Sequence, residues 1–96
     1  MNDRERKVFE AAIQKYGVVH QEKKLLEEMA ELQKEICKHW DGAQNLERIA
    51  DEMADVSIML DQMKLIFQNG GLVETHREYK IDRLLRRIVY GEEAAE

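Results

Sequence analysis

The chain contains no proline, and its apolar residues recur at helical spacing from one end to the other. A proline-free sequence with few breakers suits long helices joined by short turns and argues against a many-turned β fold. Only five glycines interrupt it, and those at 17, 42 and 70–71 divide the pattern into four amphipathic segments. Its 96 residues make one domain with one core. The expected class is therefore all-α, a four-helix, bundle-like arrangement. Chains of this size are marginally stable alone, so completion by oligomerisation is part of the expectation.

The segments are defined by their apolar faces. Residues 3–16 place Val8, Phe9, Ala12, Ile13 and Tyr16 at spacings of three and four, which is one helical face. Asn2 or Asp3 is the expected cap, and Gly17 the stop. Residues 18–39 carry a narrower stripe of Leu25, Met29, Leu32 and Ile36. Gly42 marks the next turn, with Asn45 or Asp41 to cap the third helix. Residues 45–68 form the most apolar segment, in which Ile49, Met53, Val56, Met59, Leu60, Met63, Ile66 and Phe67 fill a broad arc. A helix of that kind is packed on more than one side, as in a bundle or an oligomer. The run QNGG at 68–71 is the clearest breaker. It precedes a fourth helix over 73–90, whose Lys80, Arg83, Arg86 and Arg87 make one face basic. The residues 91–96 are expected to form a frayed tail.

Charge and composition narrow the function. A net charge of -5 argues against a nucleic-acid binder that relies on a basic surface. No apolar run approaches the length of a membrane helix, and the charged start MNDRERK is unlike a signal peptide. The single cysteine, Cys37, has no partner for an intramolecular disulfide. A cytoplasmic, reducing location is the expectation.

Two acidic clusters stand out within this apolar background. LLEEMAEL holds Glu28 and Glu31; ADEMADV holds Glu52 and Asp55. Residues i and i+3 share a helical face, so two such helices side by side bring four carboxylates together. Glu52 lies inside the apolar arc of its helix, between Val56 and Met59, and Asp55 lies at its edge. A carboxylate in such a place must be paired, protonated or metal-bound. Four carboxylates about 5 Å apart repel at roughly 3 kcal/mol per close pair in an effective dielectric near 20, which divalent cations can offset and one lysine cannot. Oxygen-only ligands suit the hard cations Mg²⁺ or Mn²⁺. Helical di-iron sites add Glu-x-x-His motifs, and none occurs here. Mg²⁺ held by carboxylates takes substrate phosphates as further ligands, which points to phosphoryl chemistry.

The run EEMAE, followed after 20 residues by EMAD, resembles the EExxE…ExxD signature of the all-α nucleoside triphosphate pyrophosphohydrolases, the MazG-like group. That group includes the dimeric dUTPases and the phosphoribosyl-ATP pyrophosphatases. The resemblance covers roughly residues 17–67. It implies Mg²⁺-dependent hydrolysis between the α and β phosphates of a nucleoside triphosphate, releasing monophosphate and pyrophosphate. By position it implies Glu28, Glu31, Glu52 and Asp55 as metal ligands and catalytic acids; Glu27 matches the first Glu of the motif but lies about 100° round the helix from Glu28, so it is expected behind the ligands or at the surface. It also implies a homodimer or homotetramer with the active site near a subunit interface.

Other residues are weighed against solvated or packed roles. Lys24 and Gln21 share the face of Glu28 and are candidates for phosphate and for base or sugar. Lys80 and Arg83 on the basic face are candidates for phosphate. Trp40 is more simply a packing anchor than a base-stacking surface. Cys37 and the methionines Met29, Met53, Met59 and Met63 are most simply packed. Two rival readings remain: a non-catalytic helical oligomerisation or interaction protein, and a degenerate member that binds nucleotide without turnover.

Overall fold

The computed structural model describes residues 1–91 and, among them, is entirely helical: α1 (Asp3–Tyr16), α2 (Val18–Trp40), α3 (Leu46–Phe67) and α4 (Gly70–Tyr90). The tail expected at 91–96 lies, from 92 onward, outside the described residues. Among the described residues no helix is long and apolar enough to cross a membrane.

The local sequence explains most helix ends. Asn2 caps α1 in a reciprocal box: its side chain accepts from the Glu5 N–H and its own N–H donates to Glu5 Oε1, both at 2.8 Å. Gly17 ends α1 and starts α2 by itself. Its N–H donates to Ile13 O at 2.8 Å, and its own carbonyl accepts from the Gln21 N–H at 3.1 Å. At φ 93 and ψ 154 it occupies backbone space closed to residues with a Cβ.

Two ends differ from expectation. Asn45 precedes α3 but does not cap it, because its side chain is engaged elsewhere, on Glu35. At the QNGG run the left-handed residue is Gln68, at φ 52, and the glycines are already helical, so α4 starts at Gly70 rather than 73. Glycine costs little in a first turn whose N–H groups have no intrahelical partner in any case.

α2 and α3 form the main contact, running antiparallel, and α1 packs against both. α4 touches α3 alone, near their shared turn, and buries none of its residues. The protomer is therefore three packed helices with a fourth projecting from them, not a closed four-helix bundle. Its radius of gyration is 16.5 Å, against about 13 Å for a compact chain of this length.

The core is correspondingly thin. Phe9, Met59 and Met63 are the buried apolar residues among those described. Several residues expected inside are outside: Val8, Tyr16, Met29 and Met53 are exposed. Cys37 is also exposed, and so is Trp40, which therefore anchors no packing. With α4 projecting and no second layer over α3, these side chains have little to pack against, apart from Tyr16, which stacks on His20.

Candidate metal centre

The face of α2 that meets α3 is polar at a heptad interval. Gln21, Glu28 and Glu35 follow one another at seven-residue steps, two full turns of helix each. Each faces a polar residue of α3 or of its leading turn, giving three rungs across an otherwise apolar seam.

The upper rung is satisfied. Gln21 and Gln62 are both buried, and Gln21 Nε2 donates to Gln62 Oε1 at 2.7 Å. Gln21 Oε1 lies 2.7 Å from His20 Nδ1, which must then carry the proton. The His20 ring stacks on Tyr16 with centroids 5.4 Å apart. In the lower rung the Glu35 carboxylate is paired, although Asn45 Oδ1 is buried without a hydrogen-bond partner. Asn45 Nδ2 donates at 2.9 Å to both the carbonyl and the carboxylate of buried Glu35, and Lys38 Nζ lies 3.5 Å from the other carboxylate oxygen. The Asn45 hydrogen bond is the chief reason that the Glu35 carboxyl titrates below its ordinary range, against the opposing effect of burial.

The middle rung is different. Glu28 from α2 meets Glu52 and Asp55 from α3, each offering a carboxylate oxygen within 4.8 Å of the others. All three are half-buried. Glu52 Oε2 is buried without a hydrogen-bond partner. Burial first, then repulsion from Asp55, Glu28 and Asp51, pushes the Glu52 carboxyl up. Burial first, then Glu28 and Asp51, does the same to Asp55. The nearby cation is Lys24, whose Nζ lies 3.2 Å from Glu28 Oε1 and 3.7 Å from Glu27 Oε2. Its hydrogen bond to Glu28 and the charge of that carboxylate hold the Lys24 ammonium more firmly protonated than usual. Lys24 is half-exposed, so solvent screens this pair. A single screened ammonium does not neutralise three converging carboxylates.

The candidate residues thus separate into groups. Glu28, Glu52, Asp55 and Lys24 come together. Glu31 is exposed and stands outside the group, since three residues along α2 turns it about 60° from Glu28. Gln21 is committed to Gln62, two turns from the carboxylates. Lys80 and Arg83 lie on α4, which does not meet α2. Arg83 places its guanidinium 5.9 Å from the Tyr79 ring centre. Asp51, an exposed acid, adds to the negative potential at Glu52 and Asp55 and is not a candidate from spacing. Its signal in the sequence is only its adjacency to Glu52.

The donor set is oxygen-only, acidic and crowded, with one orphaned buried oxygen. A donor set of this kind could hold a hard divalent cation. Comparison of the chain with protein-family models, with curated protein sequences and with solved structures returns no match.

Proposed function

We propose that this chain is a Mg²⁺-dependent nucleoside triphosphate pyrophosphohydrolase that works as a homo-oligomer, cleaving between the α and β phosphates. The observation that carries the reading is the unsatisfied middle rung. On either side Gln21 pairs with Gln62 and Glu35 with Asn45, whereas between them three carboxylates converge, with Lys24 on Glu28 and with Glu52 Oε2 buried without a hydrogen-bond partner. Buried polar groups are almost always paired, so the orphaned oxygen among three crowded carboxylates calls for an explanation, and a bound cation is the one proposed.

Glu28, Glu52 and Asp55 would hold Mg²⁺ or Mn²⁺, with Glu31 at the rim. A bound cation would offset the crowded negative charge and polarise a phosphoryl oxygen of the substrate. Lys24 binds a phosphate oxygen from the half-exposed side of Glu28. Lys80 and Arg83 would reach such a substrate only from another chain, because α4 does not reach α2 of its own. A cytoplasmic location suits the free thiol of Cys37 and the nucleotide substrate.

Titration with Mg²⁺ and Mn²⁺, followed by calorimetry and thermal melting, is the first test. Binding with a rise in Tm is expected, together with pyrophosphate release from at least one member of a nucleoside triphosphate panel. If neither metal binds nor raises Tm, the reading is wrong. Nucleotide binding without pyrophosphate would identify a degenerate member. A rival reading, a non-catalytic helical interaction protein, is favoured by one observation, the many large apolar side chains left exposed. It expects a Tm indifferent to metal.

A further inference from the structure

Six of the described residues are buried, and three of these are polar: Gln21, Glu35 and Gln62. All three belong to the rungs that flank the carboxylates, and none is a ligand in the reading above. Stability does not account for them. Replacing both partners of a buried hydrogen bond by apolar groups of the same shape is nearly neutral or stabilising. What a hydrogen bond supplies, and apolar packing does not, is a set length and direction.

Those lengths stand where they are needed. Gln21 Nε2 meets Gln62 Oε1 at 2.7 Å, and Asn45 Nδ2 meets Glu35 O and Oε1 at 2.9 Å. Along α2 the two rungs lie seven residues before and seven after Glu28, about 10 Å each way. Between them Glu28 faces Glu52 and Asp55, with carboxylate oxygens within 4.8 Å, and like charges so close push α2 and α3 apart. The buried apolar residues do not oppose this at the same level, since Met59 and Met63 lie on the Gln62 side and Phe9 belongs to α1. Asn45 shows the same priority. Its side chain leaves α3 uncapped and its own Oδ1 buried without a partner, yet it holds α2 by two bonds.

We infer that the Gln21–Gln62 and Glu35–Asn45 rungs are braces that fix the spacing of the helices at the carboxylates, and that this spacing makes the site prefer Mg²⁺ to Ca²⁺. The inference rests on the metal reading above and deepens it, by naming residues outside the ligand set that decide which cation is held. Mg²⁺ demands short, near-octahedral oxygen ligation, whereas Ca²⁺ accepts longer bonds and irregular geometry. Ligands from two helices meet the stricter demand only when the helices are held close. Without a brace, repulsion widens the gap and the larger cation gains on the smaller. The four side chains are positioning residues, because they act through the helices and not on the ion.

Calorimetric titration of the full chain with Mg²⁺ and, separately, with Ca²⁺ tests this without nucleotide. The readout is the ratio of the Ca²⁺ to the Mg²⁺ dissociation constant. In Asn45→Ala the ratio is expected to fall roughly tenfold, the lower end of what residues behind a metal's ligands contribute. Glu35→Gln keeps an oxygen for Asn45 Nδ2 and is expected to keep the parent ratio. The double variant Gln21→Leu, Gln62→Leu is expected to melt near the parent and still to lose the preference. A merely structural role would lower Tm, or both affinities together, and leave the ratio alone. An unchanged ratio in the double variant overturns the inference, whether or not Asn45→Ala folds, while metal binding by the parent stands. A fall in Glu35→Gln as large as in Asn45→Ala overturns it too, by assigning the effect to charge. So does a parent that binds Ca²⁺ as tightly as Mg²⁺. A parent that binds neither cation overturns the metal reading and this inference with it.

Discussion

Glu52 gathers the opposing demands on this molecule into one side chain. Its oxygen is buried without a partner, and three other acids raise its affinity for a proton. Glu52→Gln keeps the shape and removes the charge. The metal-free variant is expected to melt higher than the parent, to lose the Tm gain on Mg²⁺ addition, and to release no pyrophosphate while its helical circular dichroism is unchanged. A lower metal-free Tm would contradict the crowding of carboxylates, and an unchanged rate would place the chemistry elsewhere. The special position of Glu52 is legible in the sequence because a helical wheel puts it inside an apolar arc. The exclusion of Glu31 is not. Spacing alone puts Glu31 and Glu28 on one face; only the position of α3 across from them decides which of the two points into the contact. Asp51 is illegible for a similar reason, since it acts through its charge from an exposed position.

At the scale of elements, the helix boundaries of α1, α2 and α3 follow from local signals: a capping box, isolated glycines and the apolar period. The start of α4 does not, because QNGG reads as one breaker, whereas a left-handed Gln68 turns the chain and leaves the glycines helical. The polar rungs show what periodicity misses. Gln21, Glu28 and Glu35 lie at heptad spacing, which is visible in the sequence, but their partners come from pairing with α3. The upper rung makes a quantitative prediction. Gln21→Leu leaves Gln62 buried with its carbonyl unpaired, at a cost of about 1–3 kcal/mol in urea unfolding. The double variant Gln21→Leu, Gln62→Leu removes both partners and is expected to recover most of that loss. Double-variant additivity would show that the pair is not coupled. Hydrogen exchange should also rank the helices: with no buried residue, the amides of α4 are expected to exchange faster than those of α2 and α3.

For the molecule as a whole, the carboxylates set the pH response. Glu52 and Asp55 titrate above their ordinary range when folded, so the folded state holds protons more tightly than the unfolded chain. Their contribution is thus most favourable in acid and declines as pH rises from ordinary carboxylate values through the raised ones. Glu35, shifted downward, contributes the opposite slope at lower pH. Metal-free melting is expected to fall between mildly acidic and neutral pH, with Mg²⁺ at neutral pH restoring the loss; a rise over that window would refute the assignment. The all-helical class is legible in composition, but the thin core is not. Apolar periodicity states that a face must be covered and does not state by which chain.

Gly17 ties these scales together. α1 and α2 share this single residue, with no linker between them, and nothing lies within 4 Å of where a Cβ would stand. A side chain there would therefore meet no neighbour, and the penalty of Gly17→Ala, of order 1–3 kcal/mol, would come from the backbone conformation alone. Because the joint has no slack, the heading of α1 is tied to that of α2. Added residues at 41–45 would only lengthen a loop, whereas one added at 17 would rotate Phe9 out of the core.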